Sequence, residues 1–169
     1  MSAEIFQKDI LPVKDKMYRY ALSIVFDVEL AKDIVQEVLM KIWVKRSQLP
    51  TINNKEAWCI RLTRNLSLDK LKSVSRKNVG LEGLEKKILT KHNPELALEG
   101  EDLLASIYQI MKDLPEKQRE VFRLRDLMGY SNAEIKAIME LTDSQVKVNL
   151  FRARQKVRLY LGKLINYGL

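Results

Sequence analysis

The chain has 169 residues, of which 46% are hydrophobic and 31% charged, and a net charge of +8. That balance belongs to one or two small globular domains and excludes a disordered chain. One cysteine and one histidine exclude an internal disulfide and a zinc cluster, and no apolar run approaches the roughly 18 residues of a membrane span.

The opening MSAEIFQKDILPVKDK has early acids and no apolar leader core, so a cytosolic, all-helical protein is expected. From about Phe6 to Lys77 the pattern is helical and dense in apolar residues. Asp27 is placed to cap a helix over residues 28–46, with Ala31, Ile34, Val35, Val38 and Ile42 as its core face. Asp33, Gln36, Glu37 and Met40 recur at spacings of three and four on another face. Such a stripe is ordinarily solvated, but Met40 and Trp43 beside it favour a protein partner.

A polar loop over residues 46–56 comes next, and then a helix over 57–71. Trp58, Leu62 and Leu66 are expected to pack inward, and Cys59 reads as a small buried hydrophobe. Arg61, Arg64, Asn65 and Lys72 face outward or lie at the edge, as a basic face with an amide donor. Residues 78–92, NVGLEGLEKKILTKH, have two glycines and no capping logic and read as a linker, within which 84–89 could form a short helix. Cys59 and His92 would be the sole Cys–His nucleophile pair, a weak basis for catalysis, and no Gly-rich phosphate loop is present.

Asn93–Pro94–Glu95 then starts a helix running to about Asp113, with Asn as cap and Pro at the first position. Leu114–Pro115–Glu116 opens the next, which stops near Gly129. Ser131 stands three residues before Glu134 and Thr142 three before Gln145, giving two closely spaced capping boxes. They leave room for a short helix, 132–139, a turn and a second helix: the helix-turn-helix pattern. On the second helix Val146, Leu150, Ala153, Val157 and Leu161 form the buried stripe. Lys147, Phe151, Arg154 and Arg158 form another, flanked by Asn149 and Arg152. Burying Phe151 would drag Lys147 and Arg154 inward, so this face points to a polyanion.

Charge supports that reading. Residues 142–169 hold six Lys or Arg against one Asp, and residues 60–77 again six against one, so the two segments carry +5 each and the remainder −2. Two separated basic patches suit two contacts with a nucleic-acid backbone.

The strings DIVQEVLMKIW (33–43), AWCIRLTRNLSLDKLK (57–72), LPEKQREVFRLRDLMGYSNAEI (114–135) and DSQVKVNLFRARQKVR (143–158) together resemble a bacterial RNA polymerase sigma factor of the extracytoplasmic-function group. The resemblance spans nearly the whole chain. It implies an all-α fold of two small helical domains joined by a flexible linker: region 2 at 1–77, the linker at 78–92 and region 4 with its helix-turn-helix at 93–169. It implies no catalytic residue, metal, cofactor or small-molecule substrate. It assigns Asp33, Gln36, Glu37 and Met40 to core polymerase, whose β′ and β subunits would be partners. It assigns Gln48, Asn53, Asn54, Arg61, Arg64 and Asn65 to the −10 element as a separated strand. Gln145, Lys147, Val148, Asn149, Phe151, Arg152 and Arg154 fall to the −35 element in the major groove. Promoter DNA and an anti-sigma protein, often membrane-anchored in the family, are further implied partners.

The chain departs from the family pattern at Leu39, Cys59 and Lys136, and at Glu140, where Gly is common and a left-handed backbone would be strained. A stand-alone helix-turn-helix regulator explains 131–158 but leaves 33–43 and 57–72 without a role.

Overall fold

The computed structural model describes residues 1–77 and 100–166, and every regular element among them is helical. The chain divides into two compact units, Met1–Ile88 and Leu89–Leu169. The expected linker, its short helix at 84–89, His92 and the Asn93–Pro94 cap lie outside the described residues.

The first unit opens with a broken helical run: α1 (Ser2–Ile5), a π-helical turn Phe6–Ile10, a 3-10 turn Leu11–Val13 and α2 (Lys14–Val25). Pro12 has no N–H to donate and its ring crowds the preceding turn, which accounts for an irregular ladder there. α2 ends at Phe26, whose backbone is left-handed at φ 53°. A side chain in that region costs about 1–2 kcal/mol. Asp27 then accepts the Leu30 N–H at 2.9 Å and starts α3 (Val28–Val44). A 3-10 turn, Arg46–Thr51, stands where a polar loop was expected, and buried Leu49 anchors it.

α4 (Lys55–Lys77) begins two residues earlier than expected because Asn54 Oδ1 accepts the Ala57 N–H at 2.9 Å. α2, α3 and α4 pack on one another around Met17, Tyr20 and Ile24, the five expected residues of α3, and Cys59 and Ile60. Burying each large aliphatic contributes roughly 1.5–3 kcal/mol. On α4 the fully buried positions are Cys59, Ile60, Thr63 and Ser67, whereas Trp58, Leu62 and Leu66 are only partly covered. The expected stripe is displaced because α4 packs against two helices at once. Arg61 and Arg64 are drawn to half-burial on its flanks.

The second unit comprises α5 (Gly100–Lys112), α6 (Glu116–Phe122), a π-helical turn Arg123–Leu127, α7 (Asn132–Met139) and α8 (Asp143–Asn166). Arg119 binds the end of α5, donating from Nε to the Met111 carbonyl at 2.9 Å and from Nη2 to those of Lys112 and Leu114 at 3.2 and 2.8 Å. It satisfies carbonyls that a helix end leaves without partners. After the π-turn, Gly129 takes φ +79° and the Tyr130 N–H reaches the Leu124 carbonyl at 2.9 Å, closing the helix as its glycine suggested. Ile110, Met111, Leu114, Phe122, Ala153 and Val157 form one core cluster, with Ile107, Tyr108, Leu127 and Leu161 at its margin, and Leu124, Ile135, Ile138 and Val146 are buried as well. Glu120 and Arg123 are ion-paired inside this unit, both buried. Among the described residues, no helix is long and apolar enough to cross a membrane.

Candidate nucleic-acid and partner interfaces

Both capping boxes form. Ser131 Oγ accepts the Glu134 N–H at 3.2 Å while Glu134 Oε2 accepts the Ser131 N–H at 2.7 Å. Thr142 Oγ1 and Gln145 Oε1 repeat the exchange at 3.1 and 2.9 Å. Between them Glu140 adopts φ 54°, ψ 42°, the left-handed conformation the turn requires. The turn therefore keeps its shape without glycine, at the strain noted for Phe26.

The turn sets α8 with Val146, Leu150, Ala153 and Val157 buried and the opposite face in solvent. Phe151 is 61% exposed and Val148 41%, with Gln145, Lys147 and Arg152 also exposed. An apolar centre ringed by cations suits a groove that offers both phosphates and thymine methyls. Lys147 pairs with Asp143 at 2.8 Å, and their hydrogen bond lowers the Asp143 pKa and raises that of Lys147. Asn149 donates to the Gln145 carbonyl at 2.8 Å through its amide nitrogen, a bond that leaves the side-chain oxygen to act as an acceptor. Arg154 is bound by Asp126, whose hydrogen bond raises the guanidinium pKa further.

In the first unit Asp33, Gln36, Glu37 and Met40 share a face of α3, as expected from spacing. Met40 is 69% exposed and Val44, one turn on, 77%, which extends the patch beyond the expected residues. Glu37 is held by Lys41 at 2.9 Å and by Lys70 of α4 at 3.4 Å. The Lys41 ammonium, aided by Lys70, keeps its carboxyl below the usual carboxylate range. Trp43 is partly occupied within the fold: Phe6 meets its ring edge-on at 5.1 Å and Arg46 lies 4.5 Å over its face.

The remaining expected site residues lie on α4 and the segment leading into it. Gln48, Asn53 and Asn65 are exposed, and Arg64 donates to Asn65 Oδ1 at 3.3 Å. Asn54 spends its oxygen on the cap of α4, which leaves its amide donors for a partner. Asn53 lines an open cleft of about 370 Å³ with Asp9, Pro12, Val13, Lys16, Lys55 and Glu56. Two ion pairs bridge it, Lys16–Glu56 at 2.7 Å and Lys55–Asp9 at 3.7 Å. This contribution of the N-terminal run carries no periodic signal in the sequence, and neither do the roles of Asp126 and Lys70. No periodicity links Asp126 to Arg154 or Lys70 to Glu37, so only the pairs' opposite charges hinted at contact. Burial pushes the Cys59 thiol up to about 12, which removes it as a nucleophile near neutral pH.

A helical unit with a solvent-facing recognition helix, together with a second helical unit carrying a basic helix, defines a nucleic-acid-binding protein of two modules. Comparison with known proteins names the class. The family model for Sigma-70 region 2 matches residues 10–77 and that for Sigma-70, region 4 matches residues 104–157, together more than half of the chain. The chain is similar to the probable RNA polymerase sigma factor RfaY of Xanthomonas campestris pv. campestris, at 32% identity over 143 residues. That alignment covers 82% of this chain but 36% of RfaY, so the chain spans about a third of that relative's length. The ECF RNA polymerase sigma factor SigW of Bacillus subtilis is 27% identical over 166 residues, covering 92% of this chain and 89% of SigW. In fold the chain matches the sigma factor RpoE of Bartonella quintana, solved with the anti-sigma factor NepR, with a TM-score of 0.65 at 21% identity, over 93% of this chain and 96% of that one. The chain belongs to the sigma-70 family of RNA polymerase sigma factors, in its extracytoplasmic-function group.

Proposed function

We propose that this chain binds core RNA polymerase through α3 and directs initiation at promoters carrying −10 and −35 elements. The observation that carries the reading is α8: a doubly capped turn presents Val148, Phe151, Lys147 and Arg152 on one solvent face while the opposite stripe is buried. Gln145, Val148, Asn149, Phe151 and Arg152 would read base edges of the −35 duplex, with Lys147 on phosphate. Arg154 lies on the same surface. Residues Gln48, Asn53, Asn54, Arg61, Arg64 and Asn65 would bind the separated −10 strand, cations on phosphates and amides on bases. Asp33, Gln36, Glu37 and Met40 would meet the β′ subunit. Residues 1–77 and 93–169 would act as the two functional domains, with 78–92 linking them.

In this role the protein is a specificity subunit of the polymerase and not itself an enzyme, and it works in the cytoplasm. An anti-sigma protein is a fitting regulator, since the structural relative RpoE was solved with NepR. The stand-alone regulator is disfavoured because it gives residues 10–77 nothing to do.

The test is binding of the purified chain to core polymerase, and then run-off transcription from a genomic promoter library. Tight binding with transcripts sharing a −35/−10 pair is expected. Duplex binding without polymerase binding would sink the reading in favour of the lone regulator.

A further inference from the structure

Arg154 stands on α8 beside Lys147, Phe151 and Arg158, where a cation would be expected to reach for DNA. Its guanidinium is instead gripped by Asp126 through two parallel bonds, Nε to Oδ2 at 2.9 Å and Nη2 to Oδ1 at 2.6 Å. This fork-to-fork arrangement fixes both direction and rotation, as a single contact does not.

The backbone is shaped to allow it. Asp126 belongs to the π-helical turn Arg123–Leu127, in which the Met128 N–H bonds the Arg123 carbonyl five residues back at 3.0 Å. The extra residue in such a turn rotates the next stretch of chain by about 100° relative to an α-helix. The neighbouring Arg125 donates to the Tyr130 carbonyl at 3.1 Å, just before the Ser131 cap of α7. One short turn thus holds the entrance to α7 with one side chain and α8 with the next.

We infer that Asp126 is a positioning residue for promoter recognition: by holding Arg154 it sets the rotation and axial register of α8, and Arg154 serves as the anchor rather than as a reader of bases or phosphates. This rests on the −35 role proposed for α8. The apolar stripe of α8 decides which side is buried, but apolar packing is non-directional and leaves small rotations open. A half-exposed ion pair adds little to stability, so its effect should appear in aim.

The effect of losing Asp126 should have an unusual sign. Removing an acid from a DNA-facing surface ordinarily tightens binding by relieving repulsion from phosphates. Here Asp126→Asn should weaken it. The probe is a fluorescein-labelled −35 duplex recovered from a random library by the wild-type chain on core polymerase, and the readout is anisotropy of the full-length chain on polymerase. Asp126→Asn should bind on the order of tenfold more weakly, with melting unchanged, as expected when a surface pair is lost but the core stays intact. Arg154→Gln should weaken binding similarly while leaving the salt slope unchanged. Exchanging the pair, Asp126→Arg with Arg154→Asp, should recover most of the affinity.

Equal or tighter binding by Asp126→Asn overturns the inference. So does a drop of about 0.9 in the salt slope of Arg154→Gln, the signature of a lost phosphate contact. If Asp126→Asn lowers melting, the exchanged pair decides: recovery supports positioning, and no recovery overturns it. Failure of the wild-type chain to select any duplex would instead be a failure of the functional reading.

Discussion

The two units support their exposed surfaces by different means. In the first, three helices close over an interior of aliphatic and aromatic side chains, with Tyr20, Ile24, Ile34, Ile42 and Ile60 almost wholly buried. Its polar site residues are held at the surface, Glu37 by two lysines and Asn54 by the α4 cap. The second unit places charge inside its apolar core, with Glu120 against Arg123, and Arg119 is committed to the end of α5. Apolar packing supplies stability without direction, whereas hydrogen-bonded charge supplies direction. A bundle that offers a broad face needs mainly the former. A single exposed helix held at one rotation needs the latter.

The sharpest way to break this contrast is to remove one member of the buried pair. Glu120→Ala leaves Arg123 buried without its counter-charge and should destabilise the second unit by about 3–5 kcal/mol. Both tryptophans, Trp43 and Trp58, lie in the first unit, so the two can be followed separately. Urea unfolding should show an earlier loss of helical circular dichroism with the tryptophan transition in place. A shift of both transitions together would mean that the units are not independently stable. The complementary change, Ile34→Ala, should move the tryptophan transition instead, by about 3 kcal/mol, through lost burial and the cavity left behind.

Smaller effects sharpen the contrast. Glu140→Gly relieves a left-handed side-chain residue and should stabilise the second unit by about 1 kcal/mol, because glycine adopts that backbone freely. Destabilisation on the same unfolding curve would show that Glu140 contributes a contact that outweighs its strain. Cys59 gives the smallest effect near neutrality. Its thiol pKa is raised from 9.0 to about 12 by burial. Below the unfolded value of 9.0 both states stay protonated and stability is unaffected; as pH rises from there toward 12 the unfolded thiol ionises first and stability falls. The native thiol should resist a disulfide reagent at about pH 8, where burial keeps it protonated, and react only on unfolding. Rapid labelling of the folded chain would show that α4 opens locally.

Much of the fold was legible because its signals are local. Capping boxes involve residues three apart, and Ser131–Glu134 and Thr142–Gln145 form where the sequence placed them. The period of α3 identified its buried stripe residue by residue, and that of α8 did so through Val157, since each helix turns one face to a core; Leu161, one turn further on, is only partly covered. α4 was harder because contacts on two sides bury two stripes, and period alone cannot say how wide a covered face is. The 3-10 turn at Arg46–Thr51 was hidden by its polar composition, with only Leu49 to betray it.

The candidate site divides along the same line. Which residues of α3 and α8 share a face is set by about 3.6 residues per turn, and so is the exposure of Phe151 and Met40. Composition, period and capping are therefore enough for the helical class, the two basic segments, the helix-turn-helix and the motifs that mark the family. How those side chains are engaged depends instead on packing: Glu37 with Lys70, Trp43 under Phe6 and Arg46, and Arg154 with Asp126. Most of those pairings join residues tens of positions apart. They depend on how the helices pack and, for Asp126, on one extra residue in a π-turn, and no repeat along the chain encodes either.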